Sequence, residues 1–147
     1  LSDQISKMIA ENFLSTVSLK PILPFINFVL VHNYGAAYGI FQNQKVFLIA
    51  GGASKDLDLK GLAQTIKEKA QKVALLEGSD TPKLKELLDD NLVLGVFKDL
   101  ESAVQILYKQ AQAGDIILLS PGSASFGMFQ NEFDRGEQFN QIVNNLK

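Results

Sequence analysis

The residues best suited to chemistry lie in Leu118-Leu-Ser-Pro-Gly-Ser-Ala-Ser-Phe-Gly-Met-Phe-Gln-Asn-Glu-Phe-Asp-Arg-Gly-Glu-Gln-Phe139. There an apolar run stops in hydroxyl and glycine residues and restarts as an aromatic-studded helical pattern. A strand end of this kind places Ser120, Ser123 and Ser125 beside exposed backbone N–H groups, which suits a small anion. The same serines also fit ordinary turn and N-cap chemistry. No histidine stands near them in sequence to make one a nucleophile. Lys55 follows Gly51-Gly52 at a second apolar run's end, where α/β sheets bind ligands; its plainer role is a solvated lysine near a helix start. His32 is the sole histidine and could act as a base, but spacing fixes no acid partner for it. Asp89-Asp90 lacks a third metal ligand in view and reads as a solvated helix terminus.

Holding such residues requires a framework, and composition bounds it. At 147 residues the chain is about one domain long. Its 46% hydrophobic and 20% charged content is that of a globular protein. A net charge of -2 and a pI near 5.4 offer no basic footprint for nucleic acid. With no cysteine, disulfides and thiolate metal sites are excluded, which fits a reducing cytosol. Pro21 to Phe41 is about the length of a bilayer span. Pro21, Pro24, Asn27, His32 and Asn33 make it a poor one. Leu1-Ser-Asp-Gln has neither the basic nor the apolar region of a signal peptide.

From Lys45 onward the pattern is regular. Val46–Ala50, Val73–Leu76, Leu92–Phe97 and Ile116–Leu119 are short apolar runs bounded by turn residues, and continuous runs of this kind predict strands buried on both faces. Between them, Leu59, Leu62, Ala63, Ile66 and Ala70 recur at helical spacing. Thr81-Pro82 opens a helix with Leu84, Leu87 and Leu88 inward. Another helix starts at Asp99 as N-cap, turns Leu100, Ala103, Val104 and Leu107 inward and ends near Gly114. A last helix carries Phe133, Ile142, Val143 and Leu146, and most of Phe126, Phe129, Phe133 and Phe139 should be core.

Before Lys45, Asp3–Leu14 suits a helix, Phe25–Val31 a strand and Tyr34–Phe41 a short helix. Strands alternating with helices predict an α/β protein, a three-layer sandwich with a mostly parallel, Rossmann-like sheet and right-handed crossovers. The whole of 1–147 is expected to form a single domain.

Residues of about 46–147 resemble the C-terminal domain of the Mur ligases, most closely the D-glutamate-adding MurD branch of peptidoglycan synthesis. Leu48-Ile-Ala-Gly-Gly-Ala-Ser-Lys55, Gly114–Phe126, and Phe129-Gln-Asn131 through Arg135-Gly136 to Phe139 carry the resemblance. It implies a cytoplasmic domain that closes over an active site and holds incoming D-glutamate, with Lys55 facing a carboxylate and Ser125 and Phe126 cradling the amino acid. Where better-known members have an aromatic residue after the asparagine, this chain has Glu132, with Phe133 one step later. Either that contact passes to Phe133 or it is absent. ATP and magnesium are implied only for a full-length ligase with its central ATP-binding domain. No Gly-Lys-Ser/Thr phosphate loop occurs in this sequence. The resemblance therefore implies a domain without catalytic residues or cofactor of its own.

Residues of about 1–49 resemble a different family, signal peptidase II. Asp3-Gln-Ile-Ser-Lys7 and Pro24-Phe-Ile-Asn-Phe-Val-Leu-Val-His-Asn-Tyr-Gly-Ala-Ala-Tyr-Gly39 carry that likeness. The family's catalytic aspartate pair falls in segments not found in this sequence, and its chemistry needs two carboxylates in one site. The combination suggests a chimera in which residues 1–45 complete the sheet of a Mur-ligase-like subdomain by satisfying its hydrophobic pattern. The alternatives are a recombined or engineered scaffold without activity and a membrane-protease fragment. An incomplete sheet edge near the junction leaves room for a dimer.

Overall fold

A computed structural model describes residues 26–30, 41, 43–51, 58–122 and 128–146. The helices expected at 3–14 and 34–41 fall, apart from Phe41, outside the described residues. So do His32, Lys55, Ser123, Ser125 and Phe126.

The elements follow the apolar runs. In chain order they are β1 (Asn27–Leu30), β2 (Val46–Gly51), α1 (Leu59–Lys69), β3 (Ala70–Leu76), α2 (Thr81–Leu87), β4 (Val93–Phe97), α3 (Leu100–Gln110), β5 (Ile116–Gly122) and α4 (Glu132–Asn144). The strands form one sheet in the order β1-β5-β2-β3-β4, and every pairing is parallel. This is an α/β fold.

Period-two alternation shows why the central strands read as continuous apolar runs. In β2, Val46, Leu48 and Ala50 face one core with Ala63, Ile66, Leu84 and Leu88 from the α1–α2 side. Phe47 and Ile49 face the other core, with Leu100, Ala103, Val104 and Leu107 of α3 and Phe139 and Val143 of α4. A strand covered on both faces must be apolar at every position, and all six residues of β2 are buried. The sheet is thus the middle of three layers, as the sequence predicts.

β1 belongs to the same cores. Asn27, Phe28, Val29 and Leu30 pair with Ile116, Ile117, Leu118 and Leu119 of β5. Phe28 lies in the α3–α4 core and Val29 in the α1–α2 core. The Phe28 ring centroid is 6.0 Å from Tyr108 and 6.4 Å from Phe139, the latter edge-on, a favoured aromatic geometry.

Local chemistry sets the helix starts. Asp58 accepts from the Gly61 N–H at 3.0 Å and Asp99 from the Ser102 N–H at 2.7 Å, so each satisfies a donor that a helix start leaves orphaned. Asp99 is the N-cap its sequence position predicts.

Four expectations need correction. β4 is not buried on both faces: it is the sheet's edge, half-covered, with Val96 38% exposed. The chain turns back after β4, and among the described residues no strand pairs with its outer side. Phe129 and Phe139 are buried, as expected of most of the four phenylalanines, and Phe133 is 83% exposed. Helix α4 turns Phe139 and Val143 inward, and Phe133, six residues before Phe139, falls about 120° off their line at 100° per residue. Ala70 ends α1 and begins β3 rather than extending the helical stripe. The third helix stops at Gln110 and Gly114 lies in the turn beyond, while Leu146 is buried just past the end of α4.

Candidate ligand site at the carboxyl edge of the sheet

The topology singles out one place on this sheet. From β2 the chain steps outward to β3 and then β4, with α1 and α2 on one face. From β4 it returns to β5 through α3 on the other face. A single hand of crossover demands this change of face when the direction of travel reverses. β5 and β2 are neighbours, and the chain leaves β2 toward α1 on one face and β5 toward α4 on the other. Adjacent strands whose continuations part in this way leave a crevice beyond their carboxyl ends, where open α/β sheets bind ligands.

The two strands end in register, with Gly51 opposite Gly122. Gly51 and Gly122, the residues that precede segments 52–57 and 123–127, are therefore adjacent. These are the segments that carry Lys55 and Ser125-Phe126, whose own placement lies outside the described residues. Ser120 falls within β5, before that exit.

Gly51 is required where it stands. Its φ is +102°, a region that L side chains rarely adopt. A Cβ there would lie 2.7 Å from the Leu76 carbonyl oxygen and 3.1 Å from Thr81 Oγ1. The Thr81 hydroxyl donates to that same Leu76 carbonyl at 2.5 Å. The turn from β3 into α2 is thereby pinned to the sheet beside the exit of β2.

Asp80 sits in this turn and is 7% exposed. It occupies the N-cap position of α2, with φ -92° and ψ -11°, and its side chain makes no capping bond. Its Oδ2 is buried and has no hydrogen-bond partner among the described residues. An open groove beside the turn is lined by Glu77, Gly78, Thr81, Pro82, Lys85 and Val96. The sequence reading did not single out Asp80. Asp-Thr-Pro before an apolar stripe signals a helix cap, which conceals that this aspartate does not cap.

The start of α4 is built from polar bonds. Asn131 Oδ1 accepts from the Asp134 N–H at 2.8 Å, and Asp134 Oδ2 accepts from the Gln130 N–H at 3.0 Å. This reciprocal pattern resembles a capping box displaced by one residue. The Gln130 N–H, and next the Gln138 side-chain amide, hold the Asp134 carboxyl below the usual aspartate value. A lowered folded-state pKa contributes stability above the unfolded value, ~3.9, and loses it as pH falls through the lowered one. Denaturant titrations from roughly pH 6 to pH 2.5 should show a fall in stability at the acid end that is shallower in Asp134→Asn. Glu132 opens this helix and Phe133 stands exposed in its first turn, while Arg135 is buried at 4% exposure.

Comparison with known proteins bears on what this edge serves. A UDP-N-acetylmuramoylalanine–D-glutamate ligase from Roseiflexus sp. (strain RS-1) is 50% identical over 102 residues, covering 67% of this chain and 22% of the relative. A ligase of the same name from Borreliella burgdorferi is 40% identical over 106 residues, covering 71% and 23%. Most of this chain is similar to D-glutamate-adding Mur ligases. It spans about a fifth of the length of these relatives, 22% and 23%.

Solved structures agree on the fold. A domain of a UDP-N-acetylmuramate:L-alanyl-gamma-D-glutamyl-medo-diaminopimelate ligase from Haemophilus ducreyi superposes with a TM-score of 0.54 at 14% identity, covering 86% of this chain and 98% of that domain. MurF ligase from Thermotoga maritima, solved with ADP, gives 0.52 at 12% identity over 82% of this chain and 30% of its own. A second family, described as signal peptidase (SPase) II, matches residues 1–55. No helix among the described residues is long and apolar enough to cross a membrane.

Proposed function

We propose that residues 46–147 are the D-glutamate-binding C-terminal domain of an ATP-dependent, ADP-forming Mur ligase, acting in the cytoplasm. Residues 1–45 are a signal-peptidase-II-like segment that completes the sheet of the same single domain. The observation that carries this reading is the in-register ending of β2 at Gly51 and β5 at Gly122. It starts the Lys55 and Ser125-Phe126 segments side by side at the sheet's switch point. Identities of 40–50% to ligases whose name includes D-glutamate support D-glutamate as the ligand.

The division of labour follows from chemistry. Adding an amino acid to a carboxylate through ATP requires an activated acyl phosphate, which the amine then attacks. The sequence has no Gly-Lys-Ser/Thr phosphate loop, so activation with ATP and magnesium belongs to the central domain of a full-length ligase. This domain's part is to hold the dicarboxylate. A lysine ammonium, hydroxyls and strand-end N–H groups are the donors such a ligand needs. The chain alone is then a binding domain without turnover. Glu132 stands where an aromatic contact is expected, and exposed Phe133 is free to replace it from the neighbouring position.

Titration of the labelled chain with D-glutamate should shift the amide resonances of Gly51, Lys55, Gly122 and Ser125. No movement at millimolar ligand would refute the reading. A second reading, a recombined scaffold without activity, is favoured by the match of residues 1–55 to an unrelated peptidase family. It predicts a cooperative melt and indifference to D-glutamate, ATP and UDP-sugar alike. A chain that stays in solution only with detergent would instead support a membrane-protease fragment.

A further inference from the structure

Strand β4 ends the sheet, and among the described residues no strand pairs with its outer side. An open apolar edge is a template on which a second chain can pair. β4 has the composition of one. Val93-Leu-Gly-Val-Phe97 holds no charge and no proline, and the nearest charges, Asp90 and Lys98, lie outside it. Val96 within it is exposed.

The bonds on the inner side show what interrupts this edge. The Leu92 carbonyl accepts from the Val73 N–H at 3.0 Å, and the Phe97 carbonyl accepts from the Glu77 N–H at 2.9 Å. Both carbonyls therefore face β3. Successive residues of a regular strand face opposite ways, so residues 92 and 97, five apart, should not face the same neighbour. They do because one residue is inserted between them. Val73 lies opposite Val93, but Ala74 lies opposite Gly95. Counting forward from Leu92 and back from Phe97, Leu94 and Gly95 both face β3, while Val93 and Val96 face outward. Two consecutive residues on one side of a strand are a β-bulge.

Gly95 is the inserted residue. Val93 packs on the α1–α2 core, and Leu94 and Phe97 pack on the α3–α4 core. Val96 borders a groove with Thr81, Pro82 and Lys85 of α2. Without Gly95 these four side chains would alternate strictly between the two faces. The insertion also has to be a glycine, since a Cβ there would stand 3.1 and 3.3 Å from carbons of the Phe97 ring, closer than ordinary contact.

A bulge bends its strand and sharpens the local twist. Here it splits a five-residue strand into stretches of two, Val93-Leu94 and Val96-Phe97, shorter than the ~3 residues of the shortest usual strands. A straight partner could follow one stretch but not continue along the other. We infer that the Gly95 bulge closes the β4 edge and keeps the chain from joining a second copy of itself sheet to sheet through β4. The edge and its bulge are independent of the D-glutamate reading.

Deleting Gly95 tests this, because Leu92-Val-Leu-Val-Phe97 would then be an unbroken apolar strand with every side chain on its present face. Sedimentation velocity from micromolar to millimolar chain should show the deletion variant doubling its mass or more where the wild type does not. The Val96 amide of the variant should exchange at least about tenfold more slowly as concentration rises. Adding Val96→Lys to the deletion should restore the wild-type mass, because a lysine on an edge blocks pairing. A folded deletion variant with wild-type mass, or one whose association survives Val96→Lys, overturns the inference. Should the deletion variant fail to fold, amide exchange in the wild type decides. The Val93 and Val96 amides should exchange freely at every concentration while Leu94 and Phe97 are protected. Protection of Val96 equal to that of Phe97 would mean that the edge is paired and the inference wrong.

Discussion

Phe28→Ala is expected to destabilise the protein by about 3–5 kcal/mol, the usual range for removing a fully buried phenylalanine. Phe28 is 0% exposed and stacks in one core with Tyr108 and Phe139. Its removal forfeits the transfer energy of the ring, two aromatic contacts and the packing of the cavity left behind. In a chain of 147 residues, that corresponds to a fall in Tm on the order of 10 °C. The result matters beyond stability because Phe28 lies within residues 1–55, the part matched by the peptidase family. If that part were a passenger beside an independently folded domain, the substitution would leave the melt where it was. Phe133→Ala, at a residue 83% exposed, supplies the contrast and should change stability by no more than about 0.5 kcal/mol. Equal melts for the two variants would mean that β1 does not complete the sheet.

The parts of this fold that were legible in the sequence are those where one physical signal acts alone. Val46–Ala50 and Ile116–Leu119 are apolar at every position because helices cover both faces of the central strands. Leu100, Ala103, Val104 and Leu107 keep helical spacing behind an Asp99 cap, and all four are buried. Signals that depend on the order of strands were not legible. Leu92–Phe97 has the composition of a buried strand, yet strand order makes β4 an edge. Phe133 has the composition of core, but its position around α4 is fixed by where the Asn131 cap starts the helix. At the candidate site, the glycine pair and the serines were legible as strand-end chemistry. The register that sets Gly51 against Gly122 is a long-range property that no local pattern encodes. Asp80 has the sequence context of an ordinary cap, and only the folded backbone around it shows that its side chain makes no capping bond.

Gly51→Ala is expected to destabilise the protein by roughly 2–4 kcal/mol and to abolish D-glutamate binding, through two costs that a second glycine of positive φ, Gly114, allows to be separated. The first is conformational. At a φ of +102° a Cβ meets the adjoining backbone, a strain of about 1–2 kcal/mol, partly offset by the loss of glycine's freedom in the unfolded chain. The second is close approach. The new Cβ would stand 2.7 Å from the Leu76 carbonyl oxygen, a backbone atom fixed within the sheet, so β2 and β3 must part. Overpacking of that kind costs about 1–3 kcal/mol. Gly114 also has a positive φ, +89°, but a Cβ there meets nothing within 4 Å. Gly114→Ala therefore carries the conformational cost alone, about 1 kcal/mol after the unfolded-state offset. The difference between the two variants in chemical denaturation measures the close approach. Because the Leu76 carbonyl also accepts the Thr81 hydroxyl, displacing it shifts the turn pinned beside the exit of β2. Gly51→Ala should thus lose ligand even at temperatures where it remains folded, while Gly114→Ala keeps it. Equal destabilisation of the two, or undiminished binding by a folded Gly51→Ala protein, would show that the carboxyl ends of β2 and β3 do not shape the pocket.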